Sequence, residues 1–88
     1  MSNHSESIDE IRMVILQSLH QIAPEIDFQN ISPDTILREE YEIDSMDFLR
    51  FIVLLHEKLK IDIPEKDYPR LATLKSSLIY LNEKINQQ

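Results

Sequence analysis

Not one of the 88 residues is glycine. Tight hairpins rest on primed turns that want glycine, so a meander of short strands is disfavoured. The same absence removes the glycine-rich phosphate loops and the Gly-x-Ser-x-Gly nucleophile elbow. Helices remain. The length allows one small domain, because a second hydrophobic core would need more chain.

Charge narrows the choice of partner. Sixteen acidic residues against nine basic ones leave a formal charge of −7. Nucleic-acid binding needs a basic face, and so does an anionic membrane surface; neither is expected. Without cysteine there is no disulfide, thiolate ligand or thiol nucleophile. His4, His20 and His56 have no metal-ligand spacing, and no metal site is expected. The polar N-terminus is not a signal peptide. The longest apolar run, Phe51-Ile52-Val53-Leu54-Leu55, is too short to span a bilayer. The expectation is a discrete, monomeric, cytoplasmic protein, with residues 1–6 disordered and 7–86 forming one domain.

Ile8, Ile11, Val14, Ile15, Leu19 and Ile22 fall at helical spacing, and Pro24 predicts an end near Ile22 or Ala23. Ser5 or Ser7 is a candidate cap. Residues 24–43 read as a long connection pinned by Leu37, Tyr41 and Ile43, with a helical turn at 33–37. The clearest helix is 44–59, with Asp44 as N-cap and Asp47 completing a capping box. On a helical wheel Phe48, Ile52, Leu55 and Leu59 form its core stripe, flanked by Phe51 and Leu49. Met46, Val53 and Leu54 fall on or near the polar side. Pro64 opens a brief helix over 65–68, which Pro69 closes. Thr73 caps a last helix that buries Leu74, Leu78, Leu81 and Ile85. The fold class is all-α: a bundle of three longer helices and a short one, with a long first loop.

One constellation carries chemistry: Asp44-Ser45-Met46-Asp47, where the long loop meets the best helix. A serine there sits beside free backbone N–H groups and the positive end of the helix dipole. A phosphodiester on its hydroxyl would be held electrostatically. Read alone, the tetrad is first of all a capping box.

The tetrad resembles the Asp-Ser-Leu-(Asp/Glu) motif of the acyl carrier proteins, with Met46 in place of leucine. The resemblance runs from about Ile8 to Ile85. It includes the long first loop, the Ile61-Asp62-Ile63-Pro64 link and the Ala72-Thr73-Leu74 start of the last helix. It implies a four-helix carrier that is not an enzyme. A phosphopantetheinyl transferase would attach 4′-phosphopantetheine, drawn from coenzyme A, to Ser45, with Asp44 contacting the modifying enzyme. The arm would hold an acyl group as a thioester and present it to a ketosynthase, acyltransferase or ligase of fatty-acid or related biosynthesis. Met46, Asp47, Arg50, Val53, Leu54 and Glu57 are the implied partner surface. Leu49, Ile52, Leu55, Leu59 and Ile63 are the implied acyl-chain cleft.

The chain also departs from the family. Glu42 stands where glycine is usual, three residues before the serine, and Arg50, His56 and Lys58 replace acidic residues on the serine helix. These charges leave open a carrier of an aminoacyl or specialised polyketide-like intermediate. A helical protein-binding adaptor without a prosthetic group is the alternative of another class.

Overall fold

The computed structural model describes residues 8–87. The expected disorder of residues 1–6 and the cap candidates Ser5 and Ser7 lie outside them. Helix α1 is Ile8–Ile22, α2 is the single turn Leu37–Glu40, α3 is Ser45–Leu59 and α4 is Leu74–Asn86. A 3-10 helix, η1, covers Glu65–Leu71. No strand occurs among the described residues; the one β-type contact is an isolated bridge between Ile36 and Thr73. The all-α expectation holds, with five helical elements in place of four.

Helix α1 packs against both α3 and α4, and η1 lies against α4. Ile11, Ile15 and Leu19 of α1, Phe51 and Leu55 of α3, and Leu74 and Leu81 of α4 are almost fully buried. The α3 stripe is rotated from the wheel estimate. Phe51 lies in the core beside Phe48, ring centroids 6.1 Å apart, while Leu49 faces outward and Leu59 is only partly buried. The core cluster also takes Phe28, Ile31 and Leu37 from the long connection, so the core is built from more than the helices.

That burial accounts for the length of the connection. Phe28, Ile31, Leu37 and Ile43 are all buried, and the Phe28 ring meets Tyr41 edge-on at 4.9 Å. The helical turn starts at Leu37 rather than spanning 33–37. Ile36 is held extended, because the Leu37 N–H donates to the Ala72 carbonyl at 2.9 Å and the Lys75 N–H to that of Pro33 at 2.9 Å. A helix can begin only after that clamp.

Pro69 lies inside η1 instead of closing it. The fixed φ of proline suits a 3-10 helix, and its missing N–H removes a single bond. The lack of glycine shows at two positions: Glu42 has φ 53° and Lys60, which ends α3, has φ 57°. Both are left-handed, where a side chain costs about 1–2 kcal/mol that glycine avoids.

Candidate functional site

The start of α3 divides its work between two side chains. Asp44 is extended, and its Oδ1 accepts the Asp47 N–H at 2.8 Å. With the carboxylate serving as cap, the Ser45 hydroxyl is left out of the helix's own bonding. It is exposed, and its Oγ accepts a hydrogen bond from Arg38 Nη2 at 3.1 Å. The capping box is half made. The Asp47 carboxylate, a methylene shorter than that of Glu, does not return to the Asp44 backbone but takes Arg50 Nη1 at 3.4 Å. That ion pair is well exposed and adds little to stability.

The loop sets Ser45 by a sequence of backbone steps. Tyr41 closes α2 on the Leu37 carbonyl at 3.1 Å, Glu42 turns the chain left-handed, and the Ile43 N–H returns to the Arg38 carbonyl at 3.1 Å. The buried Ile43 then anchors the chain one residue before the cap. The turn brings Arg38 back over the site. Its Nε donates to the Ile43 carbonyl at 3.3 Å, and its guanidinium lies 5.1 Å from the centre of the Phe48 ring. Arg38 is the site residue that reading the motif missed. The only sign in the sequence is a base directly ahead of the acids Glu39, Glu40, Glu42, Asp44 and Asp47.

Ser45 opens onto a groove of about 390 Å³ lined by Ile36, Arg38, Phe48, Leu49, Glu65, Tyr68, Pro69 and Ala72. Tyr68 meets Phe48 edge-on at 6.4 Å, so η1 forms the far wall. That wall is tied to α4. The Tyr80 hydroxyl donates to Asp67 Oδ2 at 2.6 Å, and Arg70 reaches Glu83 at 3.2 Å while lying over the Tyr80 ring. Burial and the Asp67 carboxylate push the Tyr80 phenol above its ordinary range, so it stays a proton donor.

Of the residues expected to form an acyl-chain cleft, Leu49 lines this groove. Ile52 and Leu55 are buried in the core, and Leu59 and Ile63 pack partly buried against it. Of the expected partner surface, Met46, Arg50, Val53 and Leu54 meet in a second groove of about 580 Å³, shared with Leu49 and with Gln21 of α1. Met46 is 74% exposed and Val53 49%. Asp47 and Glu57 lie outside it. His56 serves the other end of α3, where its Nδ1 bonds the Ile61 carbonyl at 2.5 Å.

A family model described as a phosphopantetheine attachment site matches residues 10–81. The chain belongs to the acyl carrier protein family. Among curated relatives, the acyl carrier protein of Thermosynechococcus vestitus is 24% identical over 83 residues, covering 94% of this chain and 96% of its own. That of Rubrobacter xylanophilus is 28% identical over 75 residues, covering 82% and 93%. That of Campylobacter hominis is 28% identical over 82 residues, covering 93% and 96%. No solved structure matches the chain significantly. As a member of this family the chain takes a covalent phosphopantetheine and serves as a carrier; acyl carrier proteins in general work with a phosphopantetheinyl transferase and acyl-handling enzymes. The site fits such a group: an exposed hydroxyl, a base beside it, and an apolar groove leading away. Among the described residues, no helix is long and apolar enough to cross a membrane.

Proposed function

We propose that residues 7–86 form one carrier domain, that 4′-phosphopantetheine is attached to Ser45, and that the arm carries an acyl group for fatty-acid or a related biosynthesis. The observation that carries this reading is the exposed Ser45 hydroxyl, released from capping by Asp44 and facing the groove. In the loading step a bond forms between Ser45 Oγ and phosphorus. The phosphoanhydride bond of coenzyme A breaks, the adenosine bisphosphate part leaves, and the serine proton passes to a base of the transferase. When bound, the arm supplies the thiol that a cysteine-free chain lacks, and the acyl group is held there as a thioester.

The chain's own residues then present the arm. Phe48, Leu49 and Tyr68 offer it an apolar wall, while Met46, Val53 and Leu54 offer a partner enzyme a small apolar patch. Charge around such a patch governs encounter rate and discrimination more than tightness. Arg50, His56 and Lys58 on α3 support a second reading, an aminoacyl or specialised intermediate, because a partner that reads an acidic helix meets a mixed one here.

The test is to give the loaded protein, separately, a malonyl-transferring enzyme with malonyl-coenzyme A and adenylating ligases with amino acids. A hydroxylamine-labile malonyl mass is expected. An aminoacyl mass alone would select the second reading, and no acyl mass from any donor would oppose both.

A further inference from the structure

We propose that Arg38 binds the phosphate of the arm: its guanidinium holds a non-bridging oxygen of the phosphodiester and sets the direction in which the arm leaves the protein. This rests on the reading of Ser45 as the attachment point.

The guanidinium is already fixed from three sides. Nη2 lies 3.1 Å from Ser45 Oγ, Nε donates to the Ile43 carbonyl, and the plane rests near the Phe48 ring. Two of its five N–H donors are used in these bonds, and the others remain for an anion. In a phosphodiester on Ser45 the phosphorus is one bond from Oγ and the charged oxygens are two. A donor that already bonds Oγ therefore reaches those oxygens with no backbone movement. The planar fork of arginine matches phosphate oxygens better than a lysine ammonium does.

Charge gives the contact a purpose. Glu39, Glu40, Glu42, Asp44 and Asp47 flank Ser45 along the chain, and the arm adds another negative group to them. Arg38 is the base placed against the serine. It also lines the groove with Phe48 and Leu49, so a phosphate held by Arg38 turns the arm along that apolar wall.

Apo and loaded forms of the wild type, Arg38→Gln and Arg38→Lys are compared by thermal unfolding at low salt and by phosphorus NMR. In the wild type, loading should leave Tm unchanged or raise it. In Arg38→Gln it should lower Tm, because the added charge meets only acids. The holo-minus-apo difference between the two proteins should be about 4–8 °C, the span one such contact is worth in a domain of this size. In about 1 M salt it should largely vanish. The phosphorus signal should shift and sharpen in Arg38→Gln, with Arg38→Lys between the two. The apo melts take up whatever stability Arg38 gives through Ile43 and Phe48. Nitrogen NMR of the wild-type Arg38 side chain supplies a reading that needs no variant, and its signals should move on loading.

Equal holo-minus-apo differences with identical phosphorus signals, or Arg38 signals unmoved by loading, would overturn the phosphate contact and leave Ser45 standing. A wild type that takes up no phosphopantetheine would overturn the attachment reading and this inference with it.

Discussion

The starts of α3 and α4 use the same kinds of side chain to different ends. At α4, Thr73 Oγ1 accepts the Ser76 N–H at 3.0 Å, Ser76 Oγ accepts the Thr73 N–H at 3.2 Å, and the two hydroxyls meet at 3.1 Å. Both hydroxyls are spent on the helix, and the bridge from Ile36 to Thr73 ties the segment to the long connection. At α3 a carboxylate does the capping and the hydroxyl is left over, touched only by an arginine from the preceding turn. The approaches differ too. Ala72 reaches α4 with an ordinary φ of −70°, whereas Glu42 leads to α3 with φ 53°. One helix start is closed upon itself; the other bears a strained turn and keeps a hydroxyl in reach of solvent.

The closed start should be the one whose loss costs most. Thr73→Ala removes one partner of each reciprocal bond and should lower stability by about 1–2 kcal/mol. Urea unfolding reads this directly, and phosphopantetheine uptake by the folded protein should not change. A loss no larger than that of Asp44→Ala would mean that the two starts are equivalent.

Tyr80→Phe tests the tie that holds η1 beside the α3 groove. Losing the bond to Asp67 should cost about 1 kcal/mol. The same bond predicts a pH effect. The folded state holds the Tyr80 proton more tightly than the unfolded chain, so the tie's contribution is full below about pH 10 and declines above it. Tyr80→Phe should flatten the part of the alkaline decline that comes from this phenol. A variant as stable as the wild type at pH 8 would remove the tie from the account.

Two changes at Asp44 separate capping from recognition. Asp44→Ala should cost about 1 kcal/mol and slow loading. Asp44→Asn keeps the cap and should stay within a few tenths of a kcal/mol, yet load as slowly, because the lost property is charge at the modifying enzyme. Normal loading of Asp44→Asn would make Asp44 a cap and nothing more. Glu42→Gly should raise stability by about 0.5–1 kcal/mol, relieving the left-handed φ less the flexibility glycine restores to the unfolded chain. A destabilised Glu42→Gly would show that the side chain offsets its own strain.

The contrast between the two starts was partly legible in the sequence. Asp44 and Thr73 each precede an apolar period of helical spacing, and both cap their helices as read, while the capping box read at Asp47 is only half made. Local rules suffice there, because a cap involves residues three apart. They do not extend to Arg38, whose approach to Ser45 depends on the left-handed step at Glu42 and the buried anchor at Ile43. Nor do they place Phe51 inside and Leu49 outside, since the ideal wheel carries no information on which sides of α3 meet neighbours. Tyr80 lies outside the apolar face of Leu74, Leu78, Leu81 and Ile85 that the spacing picks out. It is buried, and its hydroxyl donates a hydrogen bond to Asp67, thirteen positions away on another element. The failures lie where a contact depends on the path of a turn.

Ser45→Ala bears on the central claim most directly. Asp44 keeps the cap, so the variant should lose under about 0.5 kcal/mol and give the helical circular dichroism of the wild type. Both proteins are incubated with coenzyme A and a phosphopantetheinyl transferase of broad specificity, then weighed intact. One phosphopantetheinyl group is expected on the wild type and none on Ser45→Ala. A modified Ser45→Ala, or a wild type that stays unmodified with several such transferases, would contradict that claim.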